Sequence, residues 1–171
     1  MKSYEYLAFV AVIVMLSTLI NLEPLALAAD PVHEPGVLEN LKEFAVRVEQ
    51  LEPDIERDGL AAGTIRTDAL LRLRQLGINV LPLKENLKTE EAPCLYVNIR
   101  VMKLKPKGYV YGVMVELHEK LLNPRVSSAL WVITYRTRGG GGFAYHLATI
   151  RDAAKNQVEE FITAYLSQNP T

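Results

Sequence analysis

The chain has 171 residues, 49% of them hydrophobic and 23% charged, with 19 Lys and Arg against 20 Asp and Glu. That length holds one domain with a tail, and a formal charge of -1 supplies no field that would draw nucleic acid. Leu, Val, Ile and Ala are too frequent for a disordered chain, and the single cysteine, Cys94, excludes a disulfide scaffold or a multi-cysteine metal centre.

Residues 1–28 read as a cleaved secretory signal peptide. Lys2 makes the N-terminus weakly positive, Leu7 to Ile20 is apolar apart from Ser17 and Thr18, and Leu25-Ala26-Leu27-Ala28-Ala29 is a small-residue end. Pro24 ends the apolar helix before the cut. Ala26 and Ala28 fit the alternate small positions that signal peptidase requires, so the mature chain begins at Ala29, with a cut after Ala29 as the alternative. The competing reading is a retained anchor. The apolar run would span roughly 21 Å as a helix, short of a hydrocarbon core of about 30 Å. Removing residues 1–28 takes away Lys2, Glu5 and Glu23 and leaves 18 basic and 18 acidic residues. A chain with one cysteine and no usable Asn-x-Ser/Thr acceptor fits a bacterial periplasm or another secreted bacterial setting.

Residues 29–42, with Pro31 and Pro35, read as a flexible leader, and residues 43–171 as a single domain. Phe44, Val46 and Val48 alternate with Ala45, Arg47 and Glu49 as a half-buried strand that Pro53 stops. A helix is expected from Gly59 to Leu76, with Leu60, Ile65, Ala69, Leu73 and Leu76 inward and Arg66, Arg72 and Arg74 outward. Gly77 and Ile78 predict a Schellman end. Asn79 to Leu83 reads as a short strand and Lys84 to Glu91 as a charged loop. Leu95 to Val101 and Tyr109 to Leu117 then form a hairpin across the Pro106-Gly108 turn. Ala129 to Arg136 is a further strand, with Trp131, Ile133 and Tyr135 on one face. Gly139 to Gly142 reads as a flexible linker, and Leu147 to Ser167 as a closing helix with Leu147, Ile150, Ala154, Val158, Phe161, Ile162 and Tyr165 inward.

The order strand, helix, strand, strand, strand, helix predicts an α+β two-layer sandwich, a mixed sheet with two helices on one face. The other face is expected to carry Arg47, Glu49, Asn98, Arg100, Glu116 and His118, together with Val110, Met114, Leu130 and Val132. That is more apolar than a fully wet surface needs.

The candidate chemistries are weak. The glycine run beside Arg136 and Arg138 lacks every phosphate-loop spacing. His33, His118 and His146 have no partners at zinc-ligand spacing. Cys94 lies near Glu90 and Glu91, which lower thiol reactivity. Glu159 and Glu160 are adjacent on a helix and point apart, and Ser127-Ser128 lacks a nucleophile-elbow context. Arg100, Lys103, Lys105 and Lys107 form a basic hairpin tip. No catalytic set, cofactor or metal is expected.

The blocks Gly77-Ile78-Asn79-Val80, Leu95-Tyr96-Val97-Asn98 and Phe161-Ile162-x-x-Tyr165-Leu166-x-x-Asn169-Pro170 resemble small uncharacterised exported proteins of the bacterial periplasm. That resemblance runs over most of residues 40–170. The element order is also similar to the amino-terminal domain of TolB, in which a small mixed sheet backed by helices serves assembly or protein contacts. The resemblance implies an envelope protein and brings no active-site residue with it.

The expectation is a non-catalytic binding or assembly module of the cell envelope, with a protein partner. Its interaction surface would be Arg100, Lys103, Lys105, Lys107, Val110, Met114, Leu130 and Val132. Two rivals stay open: a small hydrolase-type enzyme with a site built from loops, and an accessory protein that touches lipid or lipopolysaccharide through the three lysines.

Overall fold

The computed structural model describes residues 36–82, 92–123, 125 and 128–170. The expected signal peptide with Ala26, Ala28 and Ala29, the first part of the leader with His33, and the loop 84–91 lie outside the described residues.

The elements are β1 (Phe44–Val48), α1 (Pro53–Arg57), α2 (Ala62–Gln75), β2 (Val80–Leu81), β3 (Cys94–Lys103), β4 (Tyr109–Asn123), β5 (Ser128–Arg136), β6 (Gly140–Ala144) and α3 (Leu147–Gln168). The sheet order is β2-β1-β3-β4-β5, with β6 also paired to β4. β1 runs parallel to β2 and β3, and the remaining pairs are antiparallel, so the sheet is mixed as expected.

Side chains opposite each other in a ladder share a face. Val46, Leu95, Leu117 and Tyr135 form one inward row across four strands, and Val97 with Val115 and Ile99 with Val113 continue it. All are buried against α2 and α3 in a single apolar cluster. Burial of a Leu or Val of this kind is worth about 2 kcal/mol. Phe161 of α3 sits edge-on between Phe44 of β1 at 5.5 Å and Tyr135 of β5 at 5.6 Å, joining helix to sheet. The α2 terminus is the Schellman end that Gly77 and Ile78 predict. The Ile78 amide donates to the Leu73 carbonyl, the Gly77 amide to that of Arg74, and Gly77 has φ 74°.

Several expectations are corrected. The flexible leader does not reach residue 42. Leu38 and Leu41 are buried, the Leu38 amide donates to Gln168 Oε1, and Asn169 Nδ2 donates to the Leu38 carbonyl, so residues 36–42 are tied to the end of α3. Pro53 starts a helix as well as ending the approach from β1, because proline suits the first helical position and Ile55 is buried. The long helix then begins at Ala62 rather than Gly59. Arg66 does not face away, since its Nε donates to the Val46 carbonyl.

The glycine linker is strand β6. Gly140 to Ala144 pair with Val113 to Tyr109, so β5 and β6 are two parts of one return strand along β4, parted only at residues 137–139. A Cβ on Gly141 would lie 2.7 Å from the Tyr111 carbonyl oxygen, so this close pairing requires glycine.

Finally, Trp131 and Ile133 do not share a face with Tyr135. Tyr135 opposes Leu117 and Ile133 opposes His118, which leaves Thr134 as a bulge. One extra residue inverts the alternation beyond it. Trp131 and Ile133 therefore stand on the outer face, and Leu130 and Val132 on the helix side, away from Val110 and Met114.

Candidate functional site

Two features stand out beyond the part of the sheet that the helices cover. The first is an arm. β3 begins at Cys94, opposite His118, so β4 continues past its neighbour and, among the described residues, β5 alone accompanies residues 119–123. On this two-stranded projection Leu121, Leu122, Leu130 and Trp131 are exposed, Leu122 by 72%, and Ile133 is exposed at its base. Leu121 and Leu130 oppose each other on the helix side. Trp131 opposes Lys120, and Ile133 opposes His118, on the outer side. Both faces of the arm are thus partly apolar.

The second feature is a depression of about 600 Å³ on the outer face, lined by Asn98, Arg100, Gly112, Met114, Glu116, Arg136, Arg138 and Gly140. Register builds it. Arg100 of β3 opposes Gly112 of β4, which opposes Gly141 of β6, so a row without side chains on two strands lies beside the arginine. Arg136 opposes Glu116 on the other side of β4. Glu116 is buried. Its Oε1 accepts from Arg136 Nε at 3.0 Å, and its Oε2 lies 3.0 Å from His118 Nε2. Tyr96 stacks on the His118 ring at 5.3 Å and donates its hydroxyl to Glu49 at 2.6 Å. Burial, helped by that carboxylate, pushes the Tyr96 phenol up to about 12.

The break in the return strand is pinned from the helix layer. Thr137 Oγ1 accepts from the Val115 amide at 3.0 Å and donates to Gln157 Oε1, which also accepts from the Gly139 amide at 3.0 Å. The Arg138 amide donates to Glu160. These bonds fix where Arg136 and Arg138 leave the backbone.

Of the residues expected to form an interaction surface, Arg100, Val110 and Met114 share the outer face. Lys103 opposes Tyr109 on the helix side, and both bind the Asp58 carboxylate. Lys103 and then Tyr109 hold that carboxyl below its ordinary 3.8. Lys105 and Lys107 are exposed in the β3–β4 turn, so the four basic residues do not form one tip. His118 meets a carboxylate, but His146 lies at the start of α3. Cys94 is buried opposite His118, and desolvation raises its thiol pKa. Among the described residues, no three His, Cys, Asp or Glu side chains converge as metal ligands, and no helix is long and apolar enough to cross a membrane.

Sequence reasoning placed Arg136 and Arg138 beside a loop and Arg100 in a hairpin tip. It did not join them. The one available signal was Gly112, a glycine in the middle of a strongly alternating strand, which marks a place where something approaches the backbone.

No family model and no curated relative matches the chain. Among solved structures it is similar to a PelC dodecamer from Paraburkholderia phytofirmans, solved as a point variant. The two are 18% identical, the match covers 70% of this chain and 87% of that one, and the TM-score is 0.35, a likeness too distant to carry an argument.

Proposed function

We propose that the chain is an exported protein of the bacterial envelope and works as a non-catalytic binding or assembly module. The observation that carries this reading is the β4–β5 arm. Four large apolar side chains, with Ile133 at the base, stand in water on a projection that no layer of the described residues covers on either face, and clustered exposure of this kind marks protein contact surfaces. The signal-type N-terminus supplies the compartment.

The test places a photo-cross-linker at position 122 of the full chain expressed in a bacterial envelope, with Glu56 of exposed α1 as the control position. A discrete adduct at 122, absent at 56 and lost when Trp131→Ser is added, supports the arm as the contact. Equal adducts at both positions, or none at 122, refute it. N-terminal sequencing of the same material should begin at Ala29 or Asp30. An intact Met1 on cytosolic protein would refute export.

A small hydrolase-type enzyme is the second reading, favoured by the Glu116–His118 pair at the edge of a depression. Burial raises the Cys94 thiol, which weighs against Cys94 as its nucleophile.

A further inference from the structure

We propose that the outer-face depression is an anion-binding site for a phosphate monoester carried on a sugar-sized group, whether free or as a lipid headgroup. Three guanidiniums border it, from Arg100, Arg136 and Arg138, against one carboxylate, Glu116. Glu116 accepts from Arg136 and so holds it in one orientation. Arg100 and Arg138 make no side-chain ion pair or hydrogen bond with any described residue. The rim therefore carries two cations in excess of its own acid. That surplus matches a dianionic phosphate, and guanidinium forks bind its oxygens in pairs.

Shape agrees with charge. Arg100 approaches from β3, and Arg136 and Arg138 from the return strand, so they face each other across β4. Between them Gly112 contributes no side chain, and a Cβ added there would meet nothing within 4 Å. A row of long residues on β4 would fill this space. About 600 Å³ is several times the volume of a phosphate, which leaves room for the ring that bears it. Asn98 and the Glu116 carboxylate offer the polar groups that a sugar hydroxyl needs at the rim. Like-charged guanidiniums gathered around a hollow repel one another, and an anion relieves that repulsion. The inference does not depend on the arm: either can fail while the other stands.

The experiment titrates glucose 1-phosphate, inorganic phosphate and glucose into the full chain by calorimetry. It also measures flotation with phosphatidylcholine vesicles that contain or lack phosphatidic acid. Saturable binding of glucose 1-phosphate, absent for glucose, is expected. Arg100→Gln and Arg138→Gln should each weaken it about tenfold, the loss typical of one charge-assisted contact. Gly112→Val should weaken it by placing a side chain on the floor between the guanidiniums, with the melting temperature retained because a Cβ there meets nothing within 4 Å. Arg74→Gln, on the exposed side of α2, should leave binding unchanged. Binding that rises with phosphatidic acid identifies a headgroup as the source, and binding confined to the soluble ester identifies a free sugar phosphate. No saturable binding of any phosphate probe, or binding indifferent to Arg100→Gln and Gly112→Val, overturns the proposal.

Discussion

Replacing Thr137 with valine tests whether the break in the return strand is held by the hydroxyl or by shape alone. Valine keeps the volume and β-branching of threonine and removes one oxygen. That oxygen accepts from the Val115 amide and donates to Gln157, and both Thr137 and Gln157 are buried. After substitution Gln157 Oε1 keeps the Gly139 amide, but the Val115 N–H has no acceptor. An unsatisfied buried donor costs about 1–3 kcal/mol, and the lost Gln157 bond adds about 1 kcal/mol. The expected loss is therefore about 3 kcal/mol. For a domain of this size it lowers the melting temperature by roughly 10 °C. Urea denaturation should show a lower midpoint at unchanged slope. Thr163→Val removes only an exposed bond to the Glu159 carbonyl and should cost less than about 0.5 kcal/mol. In the Thr137→Val protein the Val115 amide should also exchange faster. A loss below about 0.5 kcal/mol for Thr137→Val would refute the assignment, since the ladder would then close without the hydroxyl.

Three further outcomes follow from the same geometry. Cys94, raised by burial, should react with iodoacetamide at pH 8 more than about tenfold slower than a free cysteine and reach the free rate only in denaturant; fast native labelling would reopen the nucleophile reading. The Arg151 guanidinium, bonded at 2.6 and 2.8 Å, holds the Asp68 carboxyl below its ordinary 3.8, so the native state binds fewer protons than the unfolded one. The pair's contribution is thus complete above about pH 4 and is lost as pH falls through the lowered native value. Asp68→Asn should cost at most about 1 kcal/mol near pH 7 and nothing in strong acid, and a penalty that persists there would contradict the pairing. Gly141→Ala should destabilise by about 1–3 kcal/mol through contact with the Tyr111 carbonyl, whereas Gly112→Ala, over open space, should be neutral or stabilising, as denaturation midpoints will show.

What could be read without the structure was what repeats locally. Leu95, Val97, Ile99 and the Ile65, Ala69, Leu73 stripe announce their own period, and Gly77-Ile78 carries its own stop. What could not be read depends on a partner elsewhere in the chain. Leu38 looks like leader until Gln168 and Asn169 bind its backbone. β6 has almost no hydropathy pattern, because its place is set by β4 and by the absence of side chains. The bulge at Thr134 is invisible in Trp131, Ile133 and Tyr135, whose spacing fits a regular strand. The arginine rim is the extreme case: Arg100 and Arg136 border one depression only because each lies beside a different edge of β4.

β4 explains why two surfaces of different character lie so close together. Its first half is flanked by β3 and β6, and its inner face is covered by α3, so whatever distinguishes it lies on the outer face, where glycine leaves a hollow and arginine borders it. Its second half, among the described residues, has β5 alone, because β3 ends. An isolated hairpin of this length is marginal in water. Leu121 with Leu130 and Lys120 with Trp131 are cross-strand pairs that support it. The bulge divides the two halves. It turns Tyr135 inward to lock against Phe161, and it turns Ile133 and Trp131 outward onto the same face as the arginines. A ligand seated between Arg100 and Arg136 would therefore touch the strand whose continuation is the arm. Thr137 and Gln157 set where β5 gives way to β6, and so where the arginine-bordered half ends and the bulged half begins.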